Sequence, residues 1–153
     1  MFTPKNILLV EDNMDDELLT IRALKKHDPS FKIDVARDGV EALDYLFEKD
    51  SQNIKDVSIL PKLIILDLQL PKMGGIEVLR RIKTNPSTAM IPVVVLTSSN
   101  ENEDILKSYG FGANSFIRKP VDYLKFLEVA GNIGLYWLAV NESPVEILKS
   151  IQR

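Results

Sequence analysis

The sequence contains no cysteine and only one histidine, His27, among its 153 residues. Without thiolates it forms neither a disulfide framework nor a cysteine-ligated metal site, and the near absence of imidazole argues against a zinc centre. No apolar run approaches the roughly 20 residues of a membrane-spanning helix. The first run, ILLV at residues 7–10, is too short for a signal peptide. We therefore expect a cytoplasmic protein that does not associate with a membrane.

The net charge is also small. A formal charge of −3 at pH 7 provides no general attraction to nucleic acid or anionic lipid, so we expect no nucleic-acid partner. The hydrophobic and charged fractions, 45% and 27%, are typical of globular proteins and argue against disorder. A chain of 153 residues is about the size of one domain.

Short apolar runs alternate with amphipathic stretches along the chain. Runs of four or five residues indicate strands, whereas apolar residues three and four positions apart indicate helices. The predicted strands are 6–10, 32–36, 63–67, 93–96 and 115–118, and the predicted helices are 15–27, 39–48, 75–84, 102–109 and 122 to about 140. Five strand-helix units in succession predict an α/β fold, a doubly wound parallel sheet of five strands with helices on both faces.

Polar residues follow four of the predicted strands. They are Glu11 and Asp12 after the first strand, Asp67 at the end of the third, Thr97 and Ser98 after the fourth, and Lys119 after the fifth. In such sheets the working site lies beyond the carboxyl ends of the strands. The sequence therefore predicts that these side chains converge, although they are far apart along the chain.

Three carboxylates brought close together repel one another unless a cation compensates them. Mg²⁺ favours oxygen ligands and suits two or three carboxylates with one backbone carbonyl. Beside such a cation Asp67 is an oxygen nucleophile, and Lys119 and Thr97 are donors for phosphoryl oxygens. We expect phosphorylation of Asp67.

Four motifs carry these residues: LLVEDN, LIILDLQLPKMGG, PVVVLTSS and FIRKP. In this order and at this spacing the chain resembles a response-regulator receiver domain over roughly residues 5–140. The resemblance implies the flavodoxin-like strand order 2-1-3-4-5 and a sensor histidine kinase as partner. The segment NPSTAMIPVVVLTSSNENED and a late aromatic pair, Tyr136 and Trp137, further resemble the stand-alone response regulators of cyanobacterial phytochromes. That likeness implies a phytochrome-type kinase and a homodimer.

The resemblance assigns roles to the matching residues. It makes Asp67 the phospho-acceptor and Lys119 the ion partner of the phosphate. It also makes Glu11, Asp12, Asp67 and the backbone carbonyl of Gln69 the ligands of Mg²⁺.

The resemblance also implies a switch, in which the Thr97 hydroxyl moves toward the phosphate and the ring of Phe116 follows. Many family members have tyrosine in place of Phe116, and plain core packing explains this ring equally well. Gln69 and Ser99 occupy positions that tune the lifetime of the phosphate in the family, so that lifetime stays open. The peptide bond before Pro120 would be cis.

The resemblance divides the chain into a receiver domain, 1–140, and an extension, 141–153. Thirteen residues are too few for a DNA-binding or catalytic domain, so we expect the output to be a protein contact. The SPVE motif at Ser143 combines a helix N-cap, a proline at the first helical position and a glutamate three residues after the cap. It predicts a short terminal helix.

The fifth helix carries more apolar residues than one core face buries. We expect five of them to form an interface for self-association or kinase docking, namely Phe126, Val129, Ile133, Tyr136 and Trp137. The alternative is that the tail folds back and covers the excess.

Three other functions share parts of this pattern. A receiver-like module that binds proteins without accepting phosphate keeps the same fold. A Mg²⁺-dependent phosphatase of the haloacid dehalogenase type needs a second acid two residues after its nucleophile, where this chain has Gln69. A flavodoxin-like cofactor binder needs a phosphate-accepting loop, where Glu11 and Asp12 repel the ligand. We expect no enzymatic activity beyond self-phosphorylation and self-dephosphorylation.

Overall fold

A computed structural model describes residues 6–151. The strands are β1 (Asn6–Val10), β2 (Lys32–Ala36), β3 (Leu63–Leu66), β4 (Val93–Thr97) and β5 (Ser115–Arg118). The helices are α1 (Met14–His27), α2 (Gly39–Leu46), α3 (Gly75–Thr84), α4 (Asn102–Gly110), α5 (Tyr123–Leu135) and α6 (Pro144–Ile151), with a 3₁₀ turn at Val57–Ile59 and a π-helical segment, Tyr136–Val140, after α5. The sheet is parallel with the order β2-β1-β3-β4-β5, so the predicted fold and strand order are confirmed. No helix within residues 6–151 is long and apolar enough to cross a bilayer.

The central strands β1, β3 and β4 are buried along their whole length because helices cover both faces of the sheet. Successive side chains of a strand point to opposite faces. Accordingly Leu8 and Val10 pack with α2, α3 and α6, whereas Ile7 and Leu9 pack with α1 and α5. The sheet therefore separates two apolar cores and holds its own strand ends rigidly.

The buried face of α1 differs from the apolar stripe that its sequence suggests. Met14 and Leu18 are 70% and 60% exposed, whereas Ala23 and Leu24 are buried. Helix α5 approaches so closely that a Cβ atom on Gly134 would lie 2.5 Å from Cδ2 of Leu24. Gly131 and Gly134 thus let α5 lie close against the side chains of His27 and Leu24.

The burial of two residues of α5 contradicts part of the interface prediction. Phe126 and Ile133 are each 4% exposed and belong to the core beneath α1, so the prediction is wrong for these two residues. They lie seven positions apart, two helical turns, and therefore share the face that meets the sheet. Val129 and Trp137 are half-buried against the same core, and Tyr136 is 51% exposed. The large apolar side chains of α5 and of the segment after it that stay exposed are Tyr123, Leu124, Leu135, Tyr136 and Val140.

The C-terminal segment folds back onto the domain as α6. The Ser143 hydroxyl caps the helix by accepting a hydrogen bond from the Glu146 amide at 3.1 Å. Val145 is fully buried in the core on the α2 and α3 side of the sheet, and Leu148 packs against that core. The tail thus folds back, as the alternative expected, but onto the side of the sheet opposite α5, so it does not cover the exposed apolar residues of that helix.

The loop after β3 is fixed by the start of α3. The amide of Gly75 donates a hydrogen bond to the Leu68 carbonyl at 3.0 Å. A Cβ atom on Gly75 would lie 2.3 Å from the Asp67 carbonyl oxygen and 2.5 Å from Leu68 Cα. Only glycine allows α3 to approach the backbone of Asp67 and Leu68 this closely.

We expect the substitution Gly75→Ala to lower the free energy of unfolding by about 1–3 kcal/mol, since the methyl group must push the Asp67 loop away. Urea unfolding followed by circular dichroism measures the change. Gly74→Ala is the matched control, because a Cβ there meets no atom within 4 Å. It alters only the helix cap and should cost less than about 1 kcal/mol. Equal losses in both variants would refute the close-packing explanation.

We expect Glu146→Gln to lower the free energy of unfolding by about 1–2 kcal/mol, because it leaves a buried ammonium without its anionic partner. The Lys62 side chain is 4% exposed, and its Nζ lies 2.7 Å from Glu146 Oε1. The control is Glu142→Gln, which removes the same charge from an exposed position outside α6. Guanidinium unfolding compares the two variants, and an equal effect would mean that the ion pair does not stabilise the docked helix.

Candidate functional site

The backbone ladder of the sheet continues one residue beyond three strands. The amide of Glu11 bonds to the Ala36 carbonyl at 3.0 Å, and that of Asp67 bonds to the Val10 carbonyl at 3.0 Å. The amide of Lys119 bonds to the carbonyl of Thr97, the last residue of β4, at 2.8 Å. The predicted site residues are thus brought side by side at the carboxyl edge of the sheet, because their strands are neighbours.

The Asp67 carboxylate lies in the middle of this edge and is 4% exposed. The fully buried Thr97 hydroxyl donates to Asp67 Oδ1 at 2.7 Å, and the backbone amide of Gln69 donates to the same oxygen at 3.1 Å. The Lys119 ammonium donates to Oδ2 at 2.8 Å. Three donors, one at the end of β4 and two in the loops after β3 and β5, therefore hold the carboxylate in one orientation.

Lys119 has two further carboxylate partners. Its Nζ lies 2.6 Å from Glu11 Oε1 and 2.8 Å from Asp16 Oδ2, and its side chain is 8% exposed. Sequence reasoning did not single out Asp16. It is one of three consecutive acids in the first turn of α1, with Asp15 and Glu17, and a helix N-terminus favours acids without any further role.

Burial and contact with one another shift the pKa values of these groups. Burial is the main reason why the pKa of Glu11 is raised to about 8, and Asp67 adds to the rise while Lys119 opposes it. Burial also acts against ionisation of Asp67, but its contacts with Lys119, Glu11 and Thr97 outweigh burial and hold its pKa below the ordinary value. The pKa of Lys119 is raised because its carboxylate partners outweigh its own burial. Asp67 is therefore ionised at neutral pH, as a nucleophile must be.

Carboxylate oxygens of Glu11, Asp12 and Asp67 lie within 4.8 Å of one another. Glu11 and Asp67 are buried, whereas Asp12 is exposed and leaves one side of the group open to solvent. Oxygen ligands of this kind suit a hard cation such as Mg²⁺ or Mn²⁺, which keeps part of its water shell. The residues present thus fit a divalent cation by donor type and by charge.

Contacts between loops surround this centre. The Ser98 hydroxyl donates to Gln69 Oε1 at 2.8 Å and links the loops after β4 and β3. The Ser99 hydroxyl donates to Asp104 Oδ2 at 2.5 Å, in the first turn of α4. Phe116 is half-buried against the core, and its amide donates to the Tyr109 hydroxyl at 3.2 Å. These contacts connect the site with α4 and β5.

One implication of the family resemblance is wrong. The peptide bond between Lys119 and Pro120 is trans, since no cis peptide bond occurs among the described residues. The trans preference of such a bond is only about 0.5–1 kcal/mol, so residue types alone do not determine the isomer.

The chain is similar in sequence to known proteins. The family model for the response regulator receiver domain matches residues 7–130. Rcp1, a response regulator of Synechocystis sp., is 38% identical over 135 residues, which are 88% of this chain and 90% of the relative. The probable methanogenesis regulatory protein FilR2 of Methanothrix harundinacea is 39% identical over 141 residues, 92% of this chain and 88% of the relative.

Solved structures are similar as well. The phosphorylated cyanobacterial phytochrome response regulator RcpA is 36% identical with a TM-score of 0.81, covering 92% of this chain and 98% of its own. The Mn²⁺-bound form of Rcp1 has the same identity and TM-score and covers 92% of this chain and 99% of its own. Fold, motifs and these likenesses agree, and the chain belongs to the response regulator receiver domain family.

Proposed function

We propose that this protein accepts a phosphoryl group on Asp67 from a sensor histidine kinase and signals by changing its contacts with other proteins. The observation that carries the proposal is the environment of Asp67. Its ionised carboxylate is buried beside Glu11 and within hydrogen-bonding distance of Lys119 and Thr97. Phosphoryl transfer depends on such positioning and on spreading charge over the phosphoryl oxygens.

Mg²⁺ fits this function as the resident cation, with Glu11, Asp12, Asp67 and the backbone carbonyl of Gln69 as the residues that would hold it. When bound, the cation neutralises charge that develops on the phosphoryl oxygens. The acidic group supports this assignment through its oxygen donors and its excess negative charge. The Mn²⁺-bound form of Rcp1 supports it by likeness.

The chain's own residues then have distinct tasks. An Asp67 oxygen attacks phosphorus, the bond from phosphorus to the donor breaks, and the leaving group departs with the electron pair of that bond. Lys119 stays protonated and donates to a phosphoryl oxygen, while the Thr97 hydroxyl donates to another. The Thr97 hydroxyl already donates to the Asp67 carboxylate, so a short movement takes it to the phosphoryl oxygen. This movement is the proposed first step of the conformational change. Phe116, half-buried next to β4, is the proposed partner in that switch.

The proposed output surface is formed by exposed residues at the C-terminal end of α5 and in the segment after it. Because Phe126 and Ile133 are core residues, a homodimer contact through α5 and the π-helical segment has to use exposed residues such as Tyr136, with the half-buried Val129 and Trp137 at its edge. The division into a receiver domain, 1–140, and an extension, 141–153, is part of the proposal, with α6 of the extension packed on the receiver core.

The signalling context rests on likeness. Rcp1 and the cyanobacterial phytochrome response regulator RcpA match nearly their whole length to this chain. We therefore propose a phytochrome-type histidine kinase as the partner, a cytoplasmic location, and no enzymatic turnover beyond formation and loss of the aspartyl phosphate. A phosphatase of the dehalogenase type is not supported, because Gln69 replaces the second acid and its amide group contacts Ser98.

Incubation with acetyl phosphate and Mg²⁺, followed by intact-mass measurement, tests the proposal. Wild type should gain one phosphoryl group, and Asp67→Asn should gain none because the nucleophilic oxygen is lost. Asp44→Asn is the control, since it removes an exposed carboxylate from α2 and should be phosphorylated like wild type. Chelation of Mg²⁺ should abolish the gain. A wild type that gains no phosphoryl group would favour a receiver-like module that only binds proteins.

A further inference from the structure

The ammonium group of Lys119 uses all of its donors on carboxylates. An ammonium group has three hydrogens to donate. Nζ lies 2.6 Å from Glu11 Oε1 and 2.8 Å from both Asp16 Oδ2 and Asp67 Oδ2. Since the Lys119 side chain is 8% exposed, water has little access to replace a lost partner. Each of these contacts therefore contributes to holding the group in place.

The three partners are not equivalent. Glu11 and Asp67 belong to the acidic group that suits a cation, and Asp67 is also the proposed nucleophile. Their contacts with Lys119 must weaken when a cation or a phosphoryl group engages the same oxygens, because each oxygen shares its negative charge among its partners. Asp16 is not a member of that group. It is the one partner whose contact with Lys119 is independent of the reaction.

The position of Asp16 is itself fixed by hydrogen bonds at the start of α1. It lies in the first turn of α1, where its amide donates to the Asn13 side chain at 3.0 Å. The Thr20 hydroxyl donates to the Asp16 carbonyl at 2.7 Å. Its carboxylate is only one-quarter exposed, and the contact joins α1 to the end of β5. A capped helix in the packed domain thus supports the carboxylate.

We propose that Asp16 is a positioning residue that holds the Lys119 ammonium while one of its hydrogen bonds passes from Asp67 to a phosphoryl oxygen. This inference rests on the proposed function. The bond that forms is between an Asp67 oxygen and phosphorus, the bond that breaks is between phosphorus and the donor's leaving group, and Lys119 keeps its proton throughout. Asp16 takes no part in either bond and acts through Lys119.

A competing role for Asp16 makes the opposite prediction. If its carboxylate drew Lys119 away from the phosphoryl group, its removal would accelerate phosphorylation. If it positions Lys119, removal slows the reaction, because a charge-assisted hydrogen bond is lost and the ammonium is free to move. The two roles are therefore separated by the sign of one rate change.

The first experiment measures the rate of phosphorylation by acetyl phosphate with saturating Mg²⁺, using intact mass. We expect Asp16→Ala to lower the rate about tenfold, and Asp16→Glu, which keeps the charge, to recover part of it. Asp15→Ala is the matched control, because Asp15 is an exposed acid in the same helical turn and its removal changes the net charge equally. Its rate should stay within about twofold of wild type. An unchanged or faster rate for Asp16→Ala overturns the inference.

The second experiment does not depend on phosphoryl transfer. Acetylation of Lys119 by an N-hydroxysuccinimide ester, mapped by peptide mass, reports how firmly the amine is held. We expect Asp16→Ala to react several-fold faster than Asp15→Ala, with the larger difference in the presence of Mg²⁺, because Glu11 and Asp67 are then engaged elsewhere. Equal reactivity of the two variants in both conditions overturns the inference. If wild type gains no phosphoryl group, the proposed function fails, and this measurement still decides whether Asp16 holds Lys119.

Discussion

The carboxyl edge of the sheet holds more negative charge than its one ammonium group balances. Glu11, Asp16 and Asp67 all contact Lys119, and Asp12 lies beside two of them. Carboxylates that are buried together are unfavourable unless the surrounding structure forces them together or a cation compensates them. Here the backbone ladder between neighbouring strands and the close contact of α3 with the loop after β3 supply that force. The excess negative charge favours a divalent cation, whereas the contacts of Asp67 with Lys119, Glu11 and Thr97 keep the nucleophile ionised against that charge.

The strands and the central site residues were predictable because each depends on a short local pattern and one rule of topology. Apolar runs such as LIIL end where the sheet ends, and parallel strands bring their following residues to one edge, which is how Asp67 and Lys119 meet. Asp16 was not predictable. Three acids stand together at the start of α1, and the helix dipole explains any of them, so only the direction of the side chains distinguishes Asp16 from Asp15 and Glu17.

Helix faces were harder to predict than helices. Met14 and Leu18 recur at helical spacing but remain exposed, while Phe126 and Ile133 were assigned to a partner and lie in the core instead. An apolar residue does not by itself indicate which surface covers it, and many single apolar side chains stay exposed in folded proteins. The docking of α6 onto the α2 and α3 side of the sheet could not be predicted for the same reason. Val145 fills the core on the far side of the sheet from α5, a contact between elements that no local pattern connects.

The central claim is that the acidic edge is a cation site whose charge the folded protein tolerates at a cost. Thermal unfolding across a Mg²⁺ titration, for wild type and for Asp12→Asn, tests it most directly. We expect Mg²⁺ to raise the wild-type unfolding midpoint until saturation, because binding favours the folded state. We expect Asp12→Asn to be more stable than wild type without Mg²⁺, since one like charge is gone, and its midpoint to rise less with the cation. A midpoint that is independent of Mg²⁺, or an identical response in both proteins, would contradict the account.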